Sequence, residues 1–235
     1  LEASWVPGSG AEPGNYGAND IFVNGPVVLA LGCVGGDLPD GVVASILASQ
    51  YDDGGWGFGA SDPDGTPIGI QALIAAGLAS DAPEVVAAVE WLRANQNADG
   101  GWGYGGVSNV NSTAYAIQGL LAAGEDVESA AWTKGGATPV SYVVSQQEAD
   151  GGFPGFDRAF AANQAVPALA GLTICESTSA AITEVPPTPT PTVPATSSPT
   201  ATVPTTPSST ATATATATRT ATAPGAPNTG NGAGT

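Results

Sequence analysis

Asp62 and Asp64 flank a single proline just before an apolar run, and two roles suit carboxylates at this spacing. The pair, with Asp52 or Asp53, could offer the hard oxygen ligands that calcium prefers. Alternatively, both could cap a helix that begins near Thr66, where carboxylates suit the positive end of the helix dipole. The proline and the following glycine favour a turn, so we expect capping and keep the calcium site as an alternative.

Polar groups of this kind occur in three stretches, 57–66, 103–113 and 154–163, each leading into an apolar run. The stretches vary in sequence, whereas the segments around them repeat. A ligand is expected to contact these loops, because binding groups usually lie on loops of a rigid scaffold; solvated turns are the alternative interpretation. The candidate ligand-binding residues are Asp62, Asp64, Asn109, Asn111, Asp157 and Arg158.

Several other chemistries lack their residues. The chain has no histidine and only two cysteines, so neither a serine-type triad nor a protein zinc site is expected. Its net charge of −17 opposes binding of nucleic acid, anionic lipid or a diphosphate. A glycosidase needs only two carboxylates, but no spacing singles out a pair. We predict no cofactor and no metal.

Residues 185–235 differ in composition from the rest of the chain. They contain no aromatic residue, Arg219 is their only charged residue, and Thr, Pro, Ala and Ser dominate. Such a segment cannot bury enough apolar surface to offset its ordering entropy. We therefore predict a folded domain over 1–184, long enough for one hydrophobic core, followed by a disordered stalk over 185–235.

The predicted stalk indicates where the protein acts. Thr/Pro tracts commonly serve as O-glycosylated spacers that lift a domain off a cell surface. Residues 226–230 also resemble a sortase sorting signal, with Ala where Leu is usual. A hinge before a membrane helix and a plain interdomain linker are the alternatives. The expected location is extracellular, at the cell surface, with possible wall or membrane anchoring through sequence beyond residue 235.

A block containing Gln and a Gly-Gly-aromatic triplet occurs three times, at 50–57, 96–103 and 147–154, and an apolar run follows each copy. A partial copy at 24–32 has no such block ahead of it. Internal repeats of this length indicate an array of supersecondary units. The sequence thus contains about three and a half units, with an incomplete N-terminal one.

Each unit is predicted to contain two helices. Residues 83–96 carry apolar side chains at helical spacing before the Gln, with Asp81, or Thr138 in the next unit, as candidate caps. The runs after the blocks are apolar nearly all round, which is typical of buried helices. Residues 24–26 and 66–67 are interpreted as further helix starts. The predicted fold is all-α, with outer and inner helices alternating side by side.

The repeated block resembles the QW motif of terpene cyclases. Trp91-Leu92, Gln96, Gly100 and Trp102 fit this motif without a gap. The chain is therefore similar to the prenyltransferase/squalene-oxidase repeat superfamily, whose fold is an α/α toroid. The resemblance implies a structural role, in which Gln caps the outer helix and the aromatic ring fills the wedge between hairpins. The motif residues are Gln50, Trp56, Gln96, Trp102, Gln147 and Phe153.

The resemblance carries over little of the family's chemistry. Squalene-hopene cyclases protonate an alkene with the middle Asp of Asp-x-Asp-Asp, and residues 62–65 lack the final Asp. The zinc ligands of prenyltransferases are absent, and 32–36 lack the Glu-Gln pair of a thioester. We expect a non-catalytic module at the cell surface that binds a small molecule, glycan or protein. The alternative is a fragment of a cyclase-type enzyme whose catalytic half lies upstream, so enzymatic activity stays open.

The two cysteines follow the first and the last apolar run. If the hairpins curl toward a ring, Cys33 and Cys175 could form a disulfide. In an open arc the two would lie too far apart, because bridging needs Cα atoms within about 7 Å. Both geometries remain open, and with them the choice between a closed and a partial toroid.

Overall fold

The computed structural model describes residues 5–9, 12–155 and 157–177. Its helices are α1 (Ile21–Cys33), α2 (Val42–Ala48), α3 (Gly65–Ala75), α4 (Pro83–Asn95), α5 (Val110–Ala122), α6 (Pro139–Ser145) and α7 (Arg158–Leu169), with short 3-10 turns at Tyr104–Gly106 and Ala130–Trp132. Only isolated β-bridges occur in the described residues. The predicted all-α, toroid-like fold is confirmed. The predicted stalk, 185–235, lies outside the described residues.

The helices form two sets. The inner set is α1, α3, α5 and α7, in which α3 packs between α1 and α5, and α5 packs between α3 and α7. The outer set is α2, α4 and α6, each packed against a neighbouring inner helix. Within the described part of the chain, no helix has the length and apolar character needed to cross a bilayer.

Close approach of the inner helices depends on small residues. A Cβ added at Gly69 would lie 2.4 Å from the Trp56 ring, and one at Gly119 would lie 2.6 Å from Cβ of Pro67. Both distances are shorter than any real carbon–carbon contact. These glycines therefore let α3 lie against its own tryptophan and let α5 lie against α3, which explains the Gly and Ala content of the runs.

The start of α1 differs from the predicted one. The helix begins at Ile21, because Asp20 Oδ1 accepts a hydrogen bond from the backbone N of Phe22 at 2.7 Å. Pro26 therefore lies inside the helix, and the prediction of a start at 24–26 is wrong. The cue was misleading because Asn-Gly-Pro is typical of helix starts, whereas Asn24 here is fully buried and used in packing.

The two predicted caps of the outer helices had different outcomes. The N-cap of α4 is Ala82, which makes no side-chain bond, so Asp81 does not cap this helix. Thr138 does cap α6, through a reciprocal pair of hydrogen bonds with Ser141. The first-turn proline of α4 already removes one unpaired N–H, which lessens the need for a cap there.

The motif tryptophans are buried and hydrogen bonded in the same way. Trp56 and Trp102 are fully buried, and each indole Nε1 donates at 2.8 Å to the carbonyl of a residue in its own outer helix, Ile46 or Leu92. The third aromatic, Phe153, is also buried. The rings therefore fix each outer helix to the inner helix that follows it.

The motif glutamines join neighbouring units. In each block the Gln Nε2 donates to the carbonyl of the glycine four residues later, which has a positive φ. Nε2 of Gln50 also donates to Glu84 O at 3.0 Å, and Nε2 of Gln96 to Trp132 O at 2.8 Å. The side-chain amides of Gln50 and Gln96 thus each donate both to the Gly-Gly turn of their own block and to the backbone of the next repeat.

An aromatic residue also occupies this place ahead of α1, although the sequence shows no GGW block there. Tyr16 is buried, and its backbone N donates to Asn24 Oδ1 at 2.9 Å. The backbone N atoms of Trp56 and Trp102 donate in the same way to the Oγ1 atoms of Thr66 and Thr113, each at 3.0 Å. These acceptors all lie in the first turns of inner helices. The N-terminal unit therefore has its aromatic anchor.

We expect Thr113→Val to lower the free energy of unfolding by about 1–3 kcal/mol. The change keeps the shape of the side chain but leaves the buried Trp102 N–H without its acceptor. Urea denaturation measures the difference. Thr113→Ser keeps the hydroxyl and serves as the control; equal losses in both variants would contradict this account.

The two ends of the repeat array are covalently joined. Cys33, at the end of α1, forms a disulfide with Cys175, and their Cα atoms are 4.8 Å apart. On the way from α7 to this bridge, the backbone N of Ile174 donates to Gln71 Oε1 of α3 at 3.2 Å. The segment after α7 therefore returns past α3 to α1 and closes the array.

Candidate functional site

Three inner helices line an apolar cavity of about 420 Å³. This volume falls in the range of small-molecule sites, about 300–1,000 Å³. The lining residues are Pro26, Leu29, Ala30 and Cys33 of α1, Ile68 of α3, Tyr115 of α5, and Val34 and Ile174 next to the disulfide. The walls come from inner helices that the repeat holds side by side, so the cavity is a product of the tertiary fold.

Two of the predicted site residues lie one helical turn from this cavity. Asp64 precedes Ile68 by four residues, and Asn111 precedes Tyr115 by four, so each shares a helix face with a lining residue. Burial raises the pKa of Tyr115, and the negative charge of Asp64 raises it further. The charge of Asp64 therefore acts on a residue that lines the cavity.

The Asp64 carboxyl is half-buried and held by α5 and the loop before it. Tyr104 Oη donates to Asp64 Oδ2 at 3.1 Å, and the Ser112 side chain also bonds this carboxyl. Its other oxygen, Oδ1, is buried without a hydrogen-bond partner. Burial raises the pKa of Asp64 above its usual value, and the charge of Asp62 adds to this, although the two hydrogen bonds oppose the shift.

Asp62, by contrast, is used by the backbone. Its Oδ1 accepts from the N atoms of Asp64 and Gly65 at 2.9 and 2.7 Å, and its Oδ2 accepts from Phe58 N at 3.2 Å. Asp62 thus caps the start of α3, as predicted, but the Asp64 side chain makes no capping bond, so that half of the prediction is wrong. The reason is tertiary: the Tyr104 hydroxyl of the next repeat binds Asp64.

The calcium alternative is not assembled in the structure. Asp53 bonds Ser61 and the indole of Trp91 instead of meeting Asp62. Among residues 5–9, 12–155 and 157–177, no three His, Cys, Asp or Glu side chains form a group that could hold a metal ion.

The remaining predicted residues lie apart from the cavity or have structural partners. Asn109 and Asp157 cap α5 and α7 by accepting from Ser112 N and Phe160 N, each at 2.8 Å. Arg158 is exposed and bonds Asp150 at 2.7 Å, which holds the pKa of that carboxyl below its usual value. The structure therefore does not bring all six residues into one site.

Asn111 differs from that group because its Nδ2 is buried without a hydrogen-bond partner. It occupies the same position in α5 that Asp64 occupies in α3, two residues after the helix-capping side chain. Adjacent inner helices thus each place one buried, unpaired polar atom at the same level. Of the six predicted residues, Asp64 and Asn111 are the two that lie one helical turn from a residue lining the cavity.

Sequence reasoning missed Tyr104, Ser112 and Tyr115. Tyr104 follows a motif Trp-Gly pair and gave no periodic signal, and Tyr115 lies in a run interpreted as plain core. The position of Tyr104 after the motif was the available cue. Its partner lies 40 residues earlier, a separation at which local patterns carry no information.

The raised pKa of Asp64 predicts how stability depends on pH. The folded state binds more protons than the unfolded state once pH exceeds the ordinary value of 3.8, so ionisation of Asp64 destabilises the fold as pH rises through that range. Asp64→Asn is expected to remove this decline, whereas Tyr104→Phe should enlarge it by removing a donor to the carboxylate. Urea midpoints between acidic and neutral pH measure both effects. Parallel curves for wild type and Asp64→Asn would contradict the assignment.

The fold and its blocks define a class of protein, the α-hairpin repeat with buried aromatic anchors and an apolar cavity between inner helices. Residues 58–163 match the model of the family described as squalene-hopene cyclase C-terminal domain. A search of curated proteins found no match. The matched region extends from the loop before α3 into α7. It is similar to that family, which belongs to the prenyltransferase/squalene-oxidase repeat superfamily, and the resemblance drawn from the QW blocks is confirmed.

Proposed function

We propose that the chain is a non-catalytic, terpene cyclase-like module that binds an apolar small molecule and is displayed at the cell surface. The observation that supports binding is the cavity of about 420 Å³ between α1, α3 and α5, with its apolar walls. Ligand pockets are mostly apolar with a few polar groups that fix orientation. Asp64 and Asn111, each with a buried unpaired atom, supply such groups one turn away.

The ligand class follows from the cavity and the family. The family's name refers to squalene and hopene, which are hydrocarbons. An isoprenoid chain would remove the exposed side chain of Val34 and the half-buried side chains of Tyr115 and Ile174 from water, at about 25 cal/mol per Å² of apolar surface buried. A terminal hydroxyl could then donate to the unpaired oxygen of Asp64.

The proposal of a non-catalytic role is based on the sequence around Asp64. Pro63 and Gly65 flank this carboxyl, so the final Asp of the cyclase motif is missing. The neighbouring carboxyl of Asp62 accepts three backbone hydrogen bonds and serves to cap α3.

A second candidate, a cyclase-type enzyme fragment, has one observation in its favour. Asp64 matches the middle Asp of the motif, and burial raises its pKa, so it retains a proton more readily than an exposed carboxyl. A positioned acid of this kind is what protonation of an alkene requires.

Farnesol titration tests binding. The cavity-filling change Ala30→Trp is expected to weaken farnesol binding at least about tenfold, which is about 1.4 kcal/mol. Ala79→Trp, in the exposed loop between α3 and α4, is the matched control and should bind like wild type. No binding by wild type, or equal binding by Ala30→Trp, would refute the proposed site.

Incubation with squalene separates the two candidates. Mass spectrometry is expected to find no cyclised product with the wild-type chain. A product that disappears in Asp64→Asn would instead establish the enzyme.

Display at the cell surface is supported by the Thr/Pro composition of 185–235 and by the Cys33–Cys175 disulfide, since disulfides persist in oxidising compartments. Brief protease treatment of intact cells that express the native gene should release the repeat domain. Full protection until the cells are lysed would exclude surface display.

A further inference from the structure

Two open clefts of about 400 and 390 Å³ lie where outer helices end and the loops before inner helices begin. The first lies between Asn19–Ile21, the end of α2 at 48–51, and the loop 57–59. The second lies between 61–63, the end of α4 at 94–97, and the loop 103–106. We call these the rim clefts. Each is built from the same three parts of successive repeats, so the repeat itself generates them.

Each rim cleft has an exposed aromatic ring at the same loop position. Phe58 is 85% exposed in the first, and Tyr104 is 54% exposed in the second. Both directly follow the buried Trp-Gly pair of their block. The core does not need these rings, because the tryptophans two residues earlier already fill the wedge between hairpins. A ring that recurs in water at equivalent positions indicates a contact surface.

The polar side chains that line the rim clefts are mostly neutral. Gln50 lines the first cleft, and Asn95, Gln96 and Asn97 line the second. No Lys or Arg is among the residues that line either one. Gln96 is only 5% exposed, and its Oε1 accepts no hydrogen bond from the described residues. An unused acceptor in the wall is a group that a hydroxyl donor could satisfy.

The two carboxylates in the clefts accept hydrogen bonds from the backbone. Asp62 accepts three, and Asp20 accepts from Phe22 N at the start of α1. Both are therefore used in helix capping and offer fewer free lone pairs to a cation. An anionic ligand is disfavoured by the net charge of −17 and by the lack of cations in the clefts.

We propose that the rim clefts bind neutral oligosaccharide, with one saccharide segment in each cleft. The apolar face of a sugar ring would lie on Phe58 in one cleft and on Tyr104 in the other, where C–H groups meet an aromatic ring. Its hydroxyls can donate to the amide oxygens of Gln50, Asn95 and Asn97, whose nitrogens already donate within the protein. The rim clefts share no lining residue with the apolar cavity, although Tyr104 of the second cleft bonds Asp64, and this proposal does not depend on the proposed function.

Two equivalent clefts on neighbouring repeats also imply a dependence on ligand length. An oligosaccharide long enough to reach both would bind the second cleft intramolecularly and gain from effective concentration. A disaccharide can occupy only one. Longer oligosaccharides are therefore expected to bind about tenfold or more tightly than the disaccharide of the same series.

The test uses the full chain on an array of immobilised neutral β-glucan, mannan, xylan and chitin oligosaccharides, each as dimer and hexamer, beside acidic oligosaccharides and oligo-lysine. We expect binding to hexamers of at least one neutral series. Phe58→Ala and Tyr104→Ala should each weaken it about tenfold. Tyr104→Phe, which keeps the ring, should stay within about twofold of wild type. Val144→Ala, at an α6 side chain 54% exposed outside both clefts, is the matched control.

The alternative outcomes are distinct. Failure of every neutral hexamer to bind, or binding that Phe58→Ala and Tyr104→Ala leave unchanged, would overturn the proposal. Preference for oligo-lysine or for the acidic series would overturn it as well. Circular dichroism of each variant shows that the fold is intact, and Ala30→Trp, which fills the apolar cavity, should leave the array pattern unchanged.

Discussion

Trp102→Ala is expected to lower the free energy of unfolding by about 3–5 kcal/mol, the range for removal of a large buried aromatic side chain. The Trp102 ring is fully buried, and its Nε1 donates to Leu92 O at 2.8 Å. The ring also packs against Trp132, which lies where the next repeat begins, with the two ring centroids 6.1 Å apart. The change would therefore leave a cavity, orphan a buried carbonyl and loosen two neighbouring hairpins.

Chemical denaturation followed by circular dichroism measures this loss. Trp102→Phe is the graded control, since it keeps an aromatic ring as the third block does with Phe153 and removes the indole N–H. We expect it to cost less than Trp102→Ala. A loss below about 1 kcal/mol for Trp102→Ala would contradict the anchoring role of the motif aromatic residues, because surface changes typically stay below that value.

Replacing both Cys33 and Cys175 by Ser is expected to lower the free energy of unfolding by about 2–5 kcal/mol. The bridge joins residues 142 positions apart, and a long closed loop restricts the unfolded chain strongly. The double replacement avoids a free thiol, and Ser is close to Cys in size. The loss should also free the segment after α7, which Ile174 N attaches to Gln71.

Urea denaturation of wild type with and without dithiothreitol is the matching experiment. The reduced wild type should unfold at the midpoint of the double Ser variant, and reduction should not shift the variant. Thiol titration of the unreduced, denatured wild type should find no free thiol. Two free thiols would refute the disulfide and the closure of the array.

Helices α4 and α1 show how well local sequence features predict where a helix begins. The helical spacing and first-turn proline of α4 were local features, and the helix formed where they indicated. In α1 the local cue was misleading, because Asn24 has its side chain in the core, where it accepts from Tyr16 N and donates to Ser45 Oγ. A buried position 21 residues away in sequence therefore outweighed a local turn signal.

Local sequence features were also insufficient to predict the candidate site. The sequence selected Asp64 and Asn111 together with four other polar residues from variable loops. Only the packing of α3 against α5 shows that Asp64 meets Tyr104, while Arg158 pairs with Asp150 away from them. Burial, which raises the pKa of Asp64, arises when helices from different repeats come together.

By itself, the sequence determined the all-α class, the repeat, the resemblance to the superfamily and the buried aromatic blocks, because these depend on periodicity and spacing within about 50 residues. Only the tertiary structure decided the apolar cavity, the Asp64–Tyr104 contact, the joining of Cys33 to Cys175, and the place of Tyr16 in the first unit. Each of these depends on which helices become neighbours and on which side chains lose contact with water, and that is settled only when the repeats pack together.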